Sequence, residues 1–229
     1  MAIFNTVYGG EWKWKPWANT LICYDFENDS WTTVINSWNL GSAMNATSSS
    51  VTYTTLASGK KVAVYSDANG GIKSNWTINI PSNFTFAFWI SWNQTIRQWG
   101  FWINNWSDDW QFWFNADGYN FNLYSWVGSW KFAARSNTNF LDNDRHLIMW
   151  TYNWATNKIY VDNSEITPII AQWNMNNSPI FSNWYVYVGK STLANYSFIW
   201  QCGSFILEDK ARTADEVANY YNKTKKNYS

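Results

Sequence analysis

In 229 residues histidine occurs once, cysteine twice, proline four times and glutamate five times. One histidine excludes any multi-histidine metal site, and two cysteines cannot build a Cys₄ or Cys₂His₂ zinc centre. No run approaches the roughly 18 apolar residues of a membrane span, so membrane insertion is not expected. Met1 to Trp14 has no basic stretch leading into an apolar one, and so does not read as a signal peptide. Basic excess is also lacking: sixteen Lys and Arg balance sixteen Asp and Glu. That argues against a nucleic-acid partner, which usually demands a positive stripe. The tight basic group Lys223, Lys225 and Lys226 reads as a solvated tail. No GxGxxG, P-loop or strand–helix alternation occurs, which sets doubly wound folds aside. Glycine is scarce too, eleven residues where a usual frequency of roughly 7% gives about 16.

What the chain has instead is tryptophan, twenty residues, and asparagine, thirty. Residues 1–15 read as an arm or linker, punctuated by Gly9-Gly10 and ended by Pro16. From Leu21 onward short strand-like segments recur. Leu21–Phe26, Lys61–Tyr65 and Trp76–Ile80 come first. Phe84–Trp92 (FTFAFWISW) follows, with Phe84, Phe86, Phe88 and Ile90 on one face. Trp99–Asn104, Trp110–Phe114, Asn120–Ser125, Lys131–Ala134, His146–Tyr152, Lys158–Val161, Trp184–Val188 and Ser204–Leu207 complete the series. Asp117-Gly118 between alternating runs predicts a hairpin, since both residues tolerate positive φ. Many short strands at regular spacing predict an all-β fold, a two-sheet antiparallel jelly-roll sandwich. The many N-x-S/T triplets, Asn45-Ala46-Thr47 among them, read first as composition.

One helix is expected. Thr213-Ala214-Asp215-Glu216 is a capping box, and Val217, Tyr220 and Tyr221 form an apolar stripe after it. Asp215 and Glu216 suit the positive end of the helix dipole, Lys223 and Lys225 the negative end. This short C-terminal helix must dock on the sandwich.

Phe84-Thr-Phe-Ala-Phe-Trp-Ile, His146-Leu-Ile-Met-Trp-Thr-Tyr, Lys158-Ile-Tyr-Val-Asp, Tyr187-Val-Gly189 and Phe205–Glu216 stand in an order that resembles the concanavalin A-like lectin/glucanase superfamily. The likeness is closest to its laminin G-like, pentraxin-like jelly rolls and covers roughly residues 17–224; the domain is taken as 16–229. It implies two curved antiparallel sheets and, for most members, binding of glycans or of matrix and cell-surface proteins. The hydrolytic branch carries an E-x-D-x-x-E strand that sets carboxylates on one face beside the sugar. None of Glu11, Glu27, Glu165, Glu208 and Glu216 lies in such a pattern, so no enzyme is expected. Asp142 and Asp144 read as turn residues, Asp108-Asp109 would point to opposite faces, and His146 reads as structural.

Some relatives bind calcium at the sandwich edge. The acidic positions of that site fall here on Gly203 and Ser204, which puts it in doubt, although Asp25 and Asp29 could supply oxygens. No other cofactor is implied. The resemblance also brings the first and last strands together, so Cys23 and Cys202 form either a disulfide worth about 5 kcal/mol in the chain-entropy model or a pair of buried free thiols.

The aromatic residues suggest a sugar platform, with indole rings against pyranose faces and amides on the hydroxyls. Trp99–Phe114 (WGFWINNWSDDWQFWF) holds five Trp. On a strand Trp110, Phe112 and Phe114 share one face, and Gln111 and Trp113 the other. Trp102, Trp113 and Trp126, with Asn120 and Asn122, are the candidate ligand-binding residues on the concave face; the competing reading is that these aromatics are core. Trp106 and Trp130 look like loop residues. The expected function is a non-catalytic carbohydrate-binding or adhesion module of a surface protein, with a glycan or surface protein as partner. The alternative is a structural component of a phage virion or cell envelope. Either places the chain outside the cell, on a cell surface or on a virion; oligomeric state is not readable.

Several Trp stand where relatives have Gly: Trp154 and Trp106 in turns, Trp200 before the last strand. Such positions favour φ > 0, which costs a bulky residue. Some UGA codons read here as Trp are therefore expected to encode Gly in the source organism. Mass spectrometry of the native protein checks this, and Trp at 154 and 200 refutes it.

Overall fold

The computed structural model describes residues 17–30, 32–65, 70–80, 82–91, 98–104, 109–114, 121–127, 129–135, 142, 144–153, 156–166, 171–173, 181–189 and 201–229. Within 98–135, at 171–173 and at 80, 157, 181 and 182 that description is of the backbone alone. The arm at 1–15 and Trp106, Trp154 and Trp200 lie outside it. Among the described residues, non-glycine positive φ falls on Phe26, Ser50, Asp162 and Asn183, none of them a Trp.

In chain order the strands are β1 (Thr20–Tyr24), β2 (Thr33–Val34), β3 (Ala46–Ser49), β4 (Val51–Thr55), β5 (Lys61–Tyr65) and β6 (Gly71–Ser74). Next come β7 (Ile78–Ile80), β8 (Asn83–Ser91), β9 (Gln98–Asn104), β10 (Asp109–Phe114), β11 (Phe121–Val127) and β12 (Ser129–Arg135). Then follow β13 (Arg145–Asn153), β14 (Asn157–Val161), β15 (Ser164–Ile166), β16 (Ala171–Trp173), β17 (Phe181–Val188) and β18 (Gln201–Glu208), and the helix α1 (Ala214–Thr224). They form two antiparallel sheets. The eight-stranded sheet runs β15-β14-β13-β8-β18-β5-β4, with β1 also on β18. The ten-stranded sheet runs β16-β12-β11-β10-β9-β17-β6-β3-β2, with β7 on β17. This is the expected all-β jelly-roll sandwich with a short C-terminal helix.

Period-two alternation explains how the sheets close on each other. On β8, Phe84, Phe86, Phe88 and Ile90 enter the space between the sheets, as the sequence pattern requires. They meet Ile148, Trp150 and Tyr152 of β13, Phe205 and Leu207 of β18, and Trp184, Val186 and Val188 of β17. Phe84 lies edge-on to Trp150 at 5.2 Å. Each such side chain contributes about 1.5–3 kcal/mol by leaving water.

The other face of the eight-stranded sheet is buried too. Ala87, Trp89, Leu147, Met149 and Ile206 pack beneath Val217 and Tyr220 of α1. The helix begins as the capping box requires: Thr213 Oγ1 accepts from the Glu216 N–H at 3.3 Å, and Glu216 Oε2 accepts from the Thr213 N–H at 3.0 Å. A buried ion pair ties it to the sheet. Arg212 Nε donates to Glu208 Oε2 at 2.6 Å and Nη2 donates to Oε1 at 3.1 Å. Thr20 Oγ1 also donates to Glu208, and the guanidinium lies 3.8 Å over the Trp17 ring.

Beyond the helix, Tyr228 turns back into the sheet. Its ring stacks on Trp89 at 4.6 Å and 17°. Its hydroxyl donates to Ser204 Oγ at 2.9 Å and accepts the Ser204 N–H at 3.1 Å. Gly203 makes room for it: a Cβ there would stand 2.4 Å from Tyr228 Cε1 and 2.7 Å from Trp89 Cβ.

One open alternative is resolved and two expectations change. Cys23 and Cys202 are both free and buried. Cys23 belongs to the layer under α1 and Cys202 to the inter-sheet core, and Cys23 pairs with Ile206 rather than Cys202, so opposite faces of one sheet separate the two sulfurs. The strand expected at Trp76–Ile80 starts at Ile78, because Asn75 N–H bonds to Asn45 O and Ser74 Oγ to Trp76 O in a turn. Trp130 is not in a loop but in β12, paired with Trp126.

Candidate functional site

Backbone register aligns candidate positions of β9, β10 and β11 with the outward-facing residues of β17. On β17 the even residues Trp184, Val186 and Val188 enter the core, so the alternating Tyr185 and Tyr187 belong to the opposite side. Backbone register extends that side across the sheet. Tyr187 stands opposite Lys73 of β6 and Trp102 of β9, and Tyr185 opposite Asn104. Trp102 stands opposite Gln111 of β10, and Asn104 opposite Asp109. Trp113 stands opposite Asn122 of β11, and Asp109 opposite Trp126. The register therefore gathers the positions of Trp102, Trp113, Trp126 and Asn122 into one alternating set with Tyr185 and Tyr187. The side chains of those four lie outside the described residues, as does Asn120 altogether. Trp110 pairs with Ile103, which pairs with the core residue Val186.

At the described end of this face the side chains are placed. The Lys73 ammonium sits 4.1 Å over the Tyr185 ring and 5.7 Å from the Tyr187 ring. Tyr187 is buried, which together with the neighbouring Tyr185 pushes its hydroxyl pKa upward. Thr47 of β3 stands opposite Lys73 and donates its hydroxyl to Asn75 Oδ1 at 2.7 Å. Trp76 follows at 67% exposure. Sequence reading passed over Lys73, Asn75 and Trp76. The Tyr-Val-Tyr alternation of β17 was the available signal, but only the register tells which side it serves.

The described glutamates are engaged elsewhere. Glu27 pairs with Lys60 at 2.6 Å, Glu165 with Lys158 at 2.8 Å, and Glu208 and Glu216 share Arg212. Glu11 lies outside the described residues. His146 bridges two carboxylates: Nδ1 lies 3.0 Å from Asp162 Oδ2, and Nε2 3.1 Å from Asp142. Burial opposes its positive charge, but the bonds to Asp162 and Asp142 outweigh that and raise its pKa to about 8. Asp162, at φ 58°, also accepts the Leu147 N–H. His146 thus fastens the β14–β15 turn to the start of β13.

Near Asp25 and Asp29, lysines occupy the backbone oxygens of Asp25 and Glu27 rather than the two aspartate carboxylates. Lys60 Nζ donates to Asp25 O at 2.7 Å and to Glu27, and Lys61 Nζ donates to Glu27 O at 3.1 Å. These bonds pin both carbonyls beside Phe26, held at φ 64° with its ring in the core. Asp29 Oδ1 accepts the Ile35 N–H at 2.8 Å, and burial raises its pKa to about 6. Among the described residues no group of three or more His, Cys, Asp or Glu is placed to hold a metal ion. No described helix is long and apolar enough to cross a membrane.

No protein-family model and no curated protein matches the chain. Solved structures do match in fold. The binding domain of Paraclostridial Mosquitocidal Protein 1 is 16% identical with a TM-score of 0.68, over 90% of this chain and 52% of that one. Domain 4 of AbnA, a GH43 extracellular arabinanase from Geobacillus stearothermophilus, in complex with arabinotriose, is 13% identical with a TM-score of 0.67, over 88% and 97%. The botulinum neurotoxin type G receptor binding domain is 16% identical with a TM-score of 0.62, over 90% and 52%. The chain spans about half the length of the mosquitocidal-protein and neurotoxin domains.

Proposed function

We propose that the protein is a non-catalytic carbohydrate-binding module that docks sugar on the outer face of its ten-stranded sheet. The observation that carries this reading is the contrast between two outer faces. One is sealed by α1 over Trp89, Leu147 and Met149. The other, with no described helix upon it, brings Tyr185, Tyr187, Lys73, Thr47 and the positions of Trp102, Gln111, Trp113, Asn122 and Trp126 into register. A saccharide site needs flat apolar rings with a few polar groups that fix orientation, and this set supplies both. The fold is shared with an arabinanase domain held with arabinotriose and with toxin receptor-binding domains, which supports a binding role. A glycosidase needs two carboxylates free to act on one sugar, whereas each described glutamate is bound in an ion pair. We place the chain in the concanavalin A-like lectin/glucanase superfamily, near its laminin G-like members. We place its work in adhesion at a cell or virion surface.

A glycan array tests the proposal. Micromolar binding is expected, weakened at least about tenfold in Trp102→Ala and Trp113→Ala, the loss usual for an aromatic anchor. A blank array from a protein that assembles into ordered particles refutes it in favour of a structural component of a phage virion or cell envelope.

A further inference from the structure

We propose that the sugar recognised at this face carries a carboxylate, and that Lys73 is the group that takes it. This rests on the reading that the face binds sugar. Lys73 is half-buried on β6, between Thr47 of β3 and Tyr187 of β17. The Tyr185 and Tyr187 rings hold its ammonium in place through attraction of a cation to the electron-rich ring face. A held ammonium is preorganised, so an incoming anion need not order a swinging side chain.

Among the described cations, Lys60, Lys158, Lys210 and Arg212 each meet a glutamate. Lys73 has no carboxylate partner among the described residues. The nearest acid in register is Asp109, opposite Asn104, which is opposite Tyr185. That position is three strands from β6, about 14 Å away at the ordinary strand spacing.

The neighbours of Lys73 suit an anion as well. Thr47 donates to the Asn75 oxygen, which leaves Asn75 its NH₂ to offer as a donor. An ammonium and an amide NH₂ on one strand end ask for an acceptor with negative charge. A single ammonium matches the single charge of a carboxylate. Trp76, the next residue and 67% exposed, offers a ring for the apolar side of the same sugar. Hexuronic acids within a polysaccharide and terminal nonulosonic acids share this chemistry.

Isothermal titration with matched pairs tests the inference on the whole chain. Trigalacturonate is compared with its methyl ester, and 3′-sialyllactose with lactose, each pair differing in the charged group. At least one acidic probe is expected to bind about tenfold tighter than its uncharged partner, the weight of a charge-assisted bond. Which pair shows the difference separates the two sources. Lys73→Met is expected to abolish the preference while circular dichroism stays unchanged, and Lys73→Arg to retain part of it. Equal affinity within both pairs overturns the inference while leaving sugar binding intact. A preference that survives in Lys73→Met overturns it also. No binding by any probe overturns it, and a blank glycan array then removes the wider reading as well.

Discussion

Replacing Gly203 by alanine tests how tightly Tyr228 is bound into the sheet. The backbone at 203 is ordinary, so the glycine serves space rather than conformation. The added Cβ would meet Tyr228 Cε1 at 2.4 Å, Trp89 Cβ at 2.7 Å and Tyr228 Cζ at 3.0 Å. Carbon atoms need about 3.5 Å or more, so the ring must move by roughly 1 Å. Overpacking of this kind costs about 1–3 kcal/mol. The ring cannot move without stretching both of its bonds to Ser204, at 2.9 and 3.1 Å, and a buried group left without its partner adds about 1–3 kcal/mol. A loss of about 3 kcal/mol is expected in urea unfolding followed by tryptophan fluorescence. Tyr228→Ala alone should cost about 3–5 kcal/mol, as for other buried aromatics. In that background the added methyl retains only its clash with Trp89, and its cost should fall to about 1 kcal/mol. The double variant should therefore be more stable than the sum of the singles predicts by about 2 kcal/mol. Additivity within about 0.5 kcal/mol would refute the packing argument.

Two further predictions concern titration and thiols. His146 has a folded pKa of about 8 against an ordinary value of roughly 6.5, so its stabilisation is fully present below pH 6.5 and fades as pH rises through 8. Asp142 is half exposed, and solvent screening reduces the worth of the pair to about 1 kcal/mol; stability curves at pH 6 and 9 should differ by that amount in the native chain, and His146→Gln should remove the difference. Burial pushes the Cys23 thiol up to about 12 and the Cys202 thiol upward as well, so Ellman's reagent should label neither in the native state and both after unfolding; rapid native labelling, or a Tm that drops with reductant, would contradict the buried free thiols.

Much of the sandwich could be read before its structure, and the reason is burial. β8 is covered on both faces, which is why Phe84–Ser91 reads as an almost unbroken apolar run. Lys61–Tyr65 and the Thr213 capping box were legible because their signals are local. The strands that went unread are short or polar: Thr33–Val34, Ala46–Ser49, Val51–Thr55, Gly71–Ser74, Ser164–Ile166 and Ala171–Trp173. They are held by ladder bonds to a neighbour, which leave little trace in hydrophobic pattern. The candidate face is harder still. Lys73, Tyr187, Trp102 and Gln111 come from four separate stretches of chain, and register alone aligns them. Reading β10 alone separates Trp113 from Phe112, but it does not say which of the two sides meets the core. Register supplies the link, since Trp110 pairs with Ile103 and Ile103 with the buried Val186.

The placement of β18 also governs how the molecule is made. It lies inside the eight-stranded sheet, against β8 on one side and against β5 and β1 on the other, yet in chain order it is the last of the eight. As the chain leaves the ribosome, the β4–β5 hairpin and the β8–β13–β14–β15 array can form, but the seam that joins them stays open until residue 208 has emerged. β1 waits across 188 residues for Glu208 to meet Thr20. Such distant pairing makes folding slow, on the order of milliseconds to seconds. During that interval the flank of β8 is an open strand edge lined by phenylalanines, so the nascent chain is most vulnerable to aggregation just before its synthesis reaches β18.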